Sequence, residues 1–158
     1  MEFSHLDNKG KAVMVDVSEK QPTKRIARAS AKVKMKAATL AQIKQGGLKK
    51  GDVLSVANLA GIAAAKNTSQ NILMCHNIPL SYCTLDFEYI SDTQLLIRSE
   101  VCAYAPTGVE MEALNSVAAA ALNVYDMCKS ADKDMTVEEI RLDYKSGGKS
   151  GEYVRSGQ

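Results

Sequence analysis

Thr107–Lys129, TGVEMEALNSVAAAALNVYDMCK, is the stretch around which the rest of the chain can be arranged. Met111, Leu114, Ala118, Ala121, Leu122 and Tyr125 recur at helical spacing, so they share one face of a helix at ~3.6 residues per turn. Thr107 and Glu110 have the spacing of a capping box, and acidic groups in a first turn suit the positive end of the helix dipole. The alanine run at 118–121 would let another element approach closely. Both ends carry polar groups that a plain core helix does not need. Glu110 and Glu112 stand at the start, Asp126 and Lys129 at the finish.

Working outward, the other elements order themselves around this helix. Lys24–Lys36, KRIARASAKVKMK, alternates with period two: Arg28, Ser30, Lys32, Lys34 and Lys36 on one face, Ala27, Ala29, Ala31, Val33 and Met35 on the other. That pattern is a half-buried strand. Ala38–Gln45 reads as a short helix closed by Gly46-Gly47. Asp52 is a good N-cap for a small-residue helix, VLSVANLAGIAAAK, ending near Lys66. Ile72–Ser81, containing Pro79, is irregular; Tyr82–Ile90 and Gln94–Ala103 form a hairpin around Ser91-Asp92-Thr93. Met135–Tyr144 is a last strand. Strand, helices, strand, strand, helix, strand is an α+β plan. It is the ferredoxin-like antiparallel sheet with helices on one face and an extra helix in the first crossover.

At 158 residues the chain is read as a single domain, with an N-terminal arm over 1–20 and a flexible Lys/Gly/Ser tail over 145–158. Charge is nearly balanced, 20 Lys plus Arg against 18 Asp plus Glu, which selects no particular partner. No apolar run approaches ~18 residues, so the expectation is a soluble, cytoplasmic protein without a membrane partner. Four cysteines without CxxC pairing fit reduced thiols in that compartment.

The polar residues admit more than one reading. On spacing alone, Asp126, Lys129 and Lys133 are a helix-surface ion-pair stripe. Glu110 could serve the capping box, and in a regular helix Glu110 and Glu112 would point apart unless the helix begins after Met111. His76 follows Cys75 in MCHNIPLS; adjacent Cys and His can rarely share a metal, and with His5 the only other histidine no metal site is expected. Lys145–Gly151, KSGGKSG, fails as a P-loop because Asp143 stands where the first glycine is needed, yet its lysines and open N–H groups could wrap phosphates. Arg25, Arg28, Lys49, Lys50 and Lys66 could add cations for a polyanionic small molecule. The basic strand also admits an RNA-binding module, but two Phe, no Trp and no aromatic RNP-type motif speak against nucleic acid. A regulatory domain that binds a ligand without chemistry also fits the residues.

The blocks MVDVSEK (14–20), KGDVLSVANLAGIAAAK (50–66), LMCHNIPLS (73–81), TGVEMEAL (107–114), YDMCK (125–129), KDM (133–135) and KSGGKSG (145–151) together resemble the cyclic pyranopterin monophosphate synthases, the molybdenum cofactor biosynthesis protein C family. Asn77 follows the Cys-His pair where many members have proline. The resemblance implies a diphosphate-eliminating lyase that converts (8S)-3′,8-cyclo-7,8-dihydroguanosine 5′-triphosphate to cyclic pyranopterin monophosphate in molybdopterin synthesis. It also implies Asp126, Lys129 and Lys50 as catalytic residues, with Met74, Cys75, His76, Met111 and Glu112 in substrate-binding segments. Glu110 and Arg25 are added as substrate-binding candidates, and Lys66, Lys145 and Lys149 as the cations that hold the leaving group's charge. No cofactor is required, although a divalent ion with the triphosphate is compatible with the chemistry. The assembly implied is a homohexamer, a trimer of dimers.

Overall fold

The computed structural model describes residues 5–46 and 51–156. β1 (Thr23–Lys34) is followed by α1 (Ala37–Lys44), α2 (Val53–Lys66) and the single turn α3 (Thr68–Asn71). β2 (Tyr82–Tyr89), β3 (Gln94–Ala105), α4 (Glu110–Cys128), β4 (Thr136–Ser146) and β5 (Tyr153–Val154) complete the chain. The sheet order is β2-β3-β1-β4-β5, antiparallel throughout. Its first four strands give the expected ferredoxin-like arrangement, so the fold is α+β.

Period two governs β1 as read. Ala27, Ala29, Ala31 and Val33 are buried against the helical layer. On the other face Arg28 pairs with Glu100 and stacks 4.9 Å over the Tyr144 ring, while Lys32 pairs with Glu139. Asp52 caps α2, accepting from the backbone N–H of Leu54 and Ser55.

α4 packs on β1, β3 and β4, with α2 alongside it. Its buried stripe is Ala113, Val117, Ala120, Ala121 and Val124 with Ser116, Met127 and Cys128, one residue before the expected face and so ~100° round the axis. Leu122, expected inside, is 61% exposed, and Leu114 and Tyr125 are only partly buried. The reason is space: the alanines of β1 present a shallow ridge that small side chains fit and leucines do not. The capping box is not formed either. Val109 is the N-cap, without a side-chain cap bond.

The segment read as a flexible tail is partly sheet. Lys145 and Ser146 lie in β4, and after Gly147 and Gly148, both at positive φ, the chain returns as β5 beside Tyr144 and Lys145. Glycines read as looseness are the means of the turn, since residues with a Cβ rarely adopt that φ.

Asn115 ties α4 to the end of α2 by donating to the Ala64 carbonyl at 2.9 Å. At Gly61 a Cβ would lie 2.5 Å from Leu85 Cδ2 and 3.0 Å from the Ser116 carbonyl oxygen. Gly61→Val should therefore overpack this crossing and destabilise the protein by about 1–3 kcal/mol in urea unfolding.

Candidate active site

The site is built where β3 turns into α4. Gly108 leaves room for Glu110 to fold back: a Cβ there would be 1.9 Å from Glu110 Oε2. So placed, Glu110 meets Lys145 Nζ at 3.4 Å. Because its side chain reverses, Glu110 and Glu112 line one cavity although the helix begins at Glu110, not after Met111 as that arrangement was expected to require. Glu112 is 3% exposed. Burial pushes its carboxyl up to about 7, its own backbone N–H pulls the other way, and the charge of Glu110 adds to the rise.

Around Glu112 lies a cavity of about 300 Å³. Met74, Cys75 and His76 enter it from the irregular segment before β2, Met111 from α4, and Val15, Val17 and Lys20 from the N-terminal arm. His76 Nε2–H donates to the Val15 carbonyl at 2.8 Å, which leaves Nδ1 for a ligand. Burial, and then the nearby Glu112, raises the Cys75 thiol above its ordinary value, so it rests as a thiol.

A second cavity, about 740 Å³, adjoins the first; Lys20, Thr107, Gly108 and Glu110 border both. Arg25, Lys145 and Lys149 make it cationic. Arg25 is fixed by donating to the carbonyls of Ala105 and Pro106 at 3.2 and 3.1 Å, and a Cβ on Gly148 would strike its guanidinium. Lys145 Nζ donates to Ser150 Oγ at 2.7 Å. The first cavity can host proton transfers, and the second can hold an anion.

Other expected residues stand apart. Asp126 and Lys129 pair at 2.6 Å at the far end of α4, and the carboxylate raises the Lys129 ammonium above its usual value. Fourteen residues of helix, ~21 Å, separate Asp126 from Glu112. Lys133 lies beyond the helix end, so the stripe read from spacing stops at Lys129. Lys66, in the last turn of α2, borders neither cavity. Lys50 and Lys49 lie outside the described residues. Among the described residues no group of three His, Cys, Asp or Glu is placed to hold a metal, and no helix is long and apolar enough to cross a membrane.

The model of the MoaC family matches residues 14–148. The chain belongs to the MoaC family. It is 51% identical over 156 residues to a cyclic pyranopterin monophosphate synthase of Geobacter metallireducens, covering 98% of each chain. Proteins of the same name from Clostridium acetobutylicum and Clostridium botulinum are 49% identical, over 98% and 96% of this chain and 97% and 96% of their own.

In this MoaC chain His5, Val15, Val17, Lys20, Ile78, Thr107 and Gly108 also line the smaller cavity, beyond the candidate residues of the sequence. All but His5 fall within the blocks MVDVSEK, LMCHNIPLS and TGVEMEAL, which carried the signal; His5 is brought in by the fold of the arm.

The raised Glu112 pKa has a measurable consequence. A carboxyl whose folded pKa exceeds its ordinary value of 4.5 favours the fold fully below about 4.5, and that contribution is lost as pH rises through about 7. Glu112→Gln keeps the shape without the ionisation, so its stability relative to wild type should rise from pH ~4 to pH ~8, by up to about 3 kcal/mol. Urea unfolding at both pH values checks this; an unchanged difference would contradict the raised pKa.

Proposed function

We propose that this chain is a cyclic pyranopterin monophosphate synthase of the cytoplasm, converting (8S)-3′,8-cyclo-7,8-dihydroguanosine 5′-triphosphate to cyclic pyranopterin monophosphate and diphosphate for molybdenum cofactor biosynthesis. The observation that carries this reading is the abutment of two cavities of different chemistry at the start of α4. The smaller suits the ring system and the larger the triphosphate. Identity of about one half to enzymes of that name, over nearly the whole chain, supports it.

Opening the purine ring and closing the pterin require repeated proton transfers, and a carboxyl titrating near neutrality can give and take them. Glu112, with Nδ1 of His76, fills that role at the cavity wall. Cyclisation onto the phosphate expels diphosphate, whose charge Arg25, Lys145 and Lys149 hold. Substrate and product are related by rearrangement and elimination with no net oxidation, so the balance requires no redox cofactor.

Asp126, Lys129 and Lys50 serve as catalytic groups in this reading through a second copy of the chain. Leu59 and Leu122 are 68% and 61% exposed on the α2–α4 pair, an apolar surface that a partner would cover. Two α4 helices crossing antiparallel at a two-fold axis bring the Asp126 end of one beside the Glu112 end of the other. Such dimers build the homohexamer that the family resemblance implied.

Incubation with the cyclic nucleotide, followed by mass spectrometry for the pterin and diphosphate, tests the activity; absence of both products from the folded enzyme would overturn it. Asp126→Ala should keep ligand binding and lose turnover by ~10²-fold or more, whereas wild-type turnover would remove Asp126 from the chemistry. Co-assembly of Glu112→Ala with Asp126→Ala subunits should restore about a quarter of wild-type activity under random pairing. A dead mixture containing verified mixed dimers would place each site within one chain.

A further inference from the structure

Beyond the residues given roles above, the smaller cavity has one more polar wall. His5 lines it, although it lies 107 positions before Glu112 in the chain. It is brought there by a tight hairpin in the arm. Asp7 Oδ1 accepts from the backbone N–H of Lys9 and Lys11, both at 2.8 Å, and the Gly10 N–H closes the turn onto the Asp7 carbonyl at 2.9 Å. Gly10 takes a positive φ of 75° there. Leu6 then bridges Ala12, and the Val13 N–H donates to the His5 carbonyl at 3.0 Å. Two residues on, the Val15 carbonyl is held by His76. The arm is therefore pinned at the cavity by one histidine and returns a second histidine to the same opening.

The two imidazoles are not equivalent. Nε2 of His76 is engaged by Val15, whereas the ring of His5 is exposed and has no hydrogen-bond partner among the described residues. An imidazole offers a donor and an acceptor together, and this one borders the Glu112 cavity but not the cationic one.

We infer that His5 is a further substrate-contacting residue, one that hydrogen-bonds the ring portion of the substrate and not its phosphates. The inference rests on the smaller cavity being the substrate site proposed above. The arm acts as a strap: its hairpin is set by its own hydrogen bonds, so a bound ring system would gain the contact without a large ordering cost.

Steady-state kinetics with the cyclic nucleotide test it in the full chain, comparing His5→Ala, His5→Gln and Glu112→Gln. His5→Ala should lower kcat/KM about tenfold, the size of one lost hydrogen bond. His5→Gln, which keeps a donor and an acceptor, should recover part of that loss. Thermal melting should be unchanged in both, as the side chain is exposed and hydrogen-bonded to none of the described residues. Inorganic triphosphate, which has no ring, should inhibit wild type and His5→Ala equally. Wild-type kcat/KM in His5→Ala beside an impaired Glu112→Gln would overturn the role of His5 alone. Wild-type values in both would overturn the cavity assignment and this inference with it. Weaker inhibition of His5→Ala by triphosphate would overturn the placement at the ring end.

Discussion

The close seating of α4 on the alanine ridge of β1 is the contact on which the other layers depend. Ala27, Ala29 and Ala31 on the strand, and Ala113, Val117, Ala120 and Val124 on the helix, are all essentially inaccessible to solvent. Each contributes little apolar area, but the match of small side to small side permits a thin, close layer. α2 can then reach both α4 and β2, with Gly61 at the crossing because nothing larger fits between Leu85 and the α4 backbone.

That seating also sets the electrostatics. Glu112, Ser116 and Ala120 follow one another at i, i+4 and i+8 along the buried side of α4, so a helix pressed onto the sheet carries its first-turn carboxylate into low dielectric with it. Glu110, two residues earlier, escapes because Gly108 lets it turn back toward Lys145. Two carboxyls in one turn thereby acquire different characters: Glu110 meets an ammonium, and Glu112 is pushed toward neutrality. Divergent environments for neighbouring acids are a general means of assigning proton donor and acceptor.

The cationic side of the site depends on a different constraint. Arg25 is held by two backbone carbonyls, and Gly147-Gly148 pass directly over it, so β4 and β5 can close around its guanidinium only where no Cβ intervenes. Anchoring cations before the anion arrives reduces the reorganisation needed as charge develops on the leaving group. The segment thus forms a wall of the cationic cavity.

Much of this was legible in the residues themselves. Alternating alanines and cations could only be a one-sided strand, Asp52 could only help a helix begin, and the order of elements left few sheet topologies. Glu110, Glu112, Cys75 and His76 were also marked, because their motif blocks are specific. What the chain did not disclose was the choice among near-equivalent faces. α4 is apolar nearly all round, so periodicity favoured the side with Leu114, Leu122 and Tyr125; the ridge on β1 selected the side with the smaller residues instead. Likewise, nothing local tells that His5 and Lys20 share a cavity with Glu112, or that the glycine-rich end turns back as β5. Local spacing fixes what an element is, whereas the volume left by its neighbours fixes which side of it is buried and which distant residues it meets.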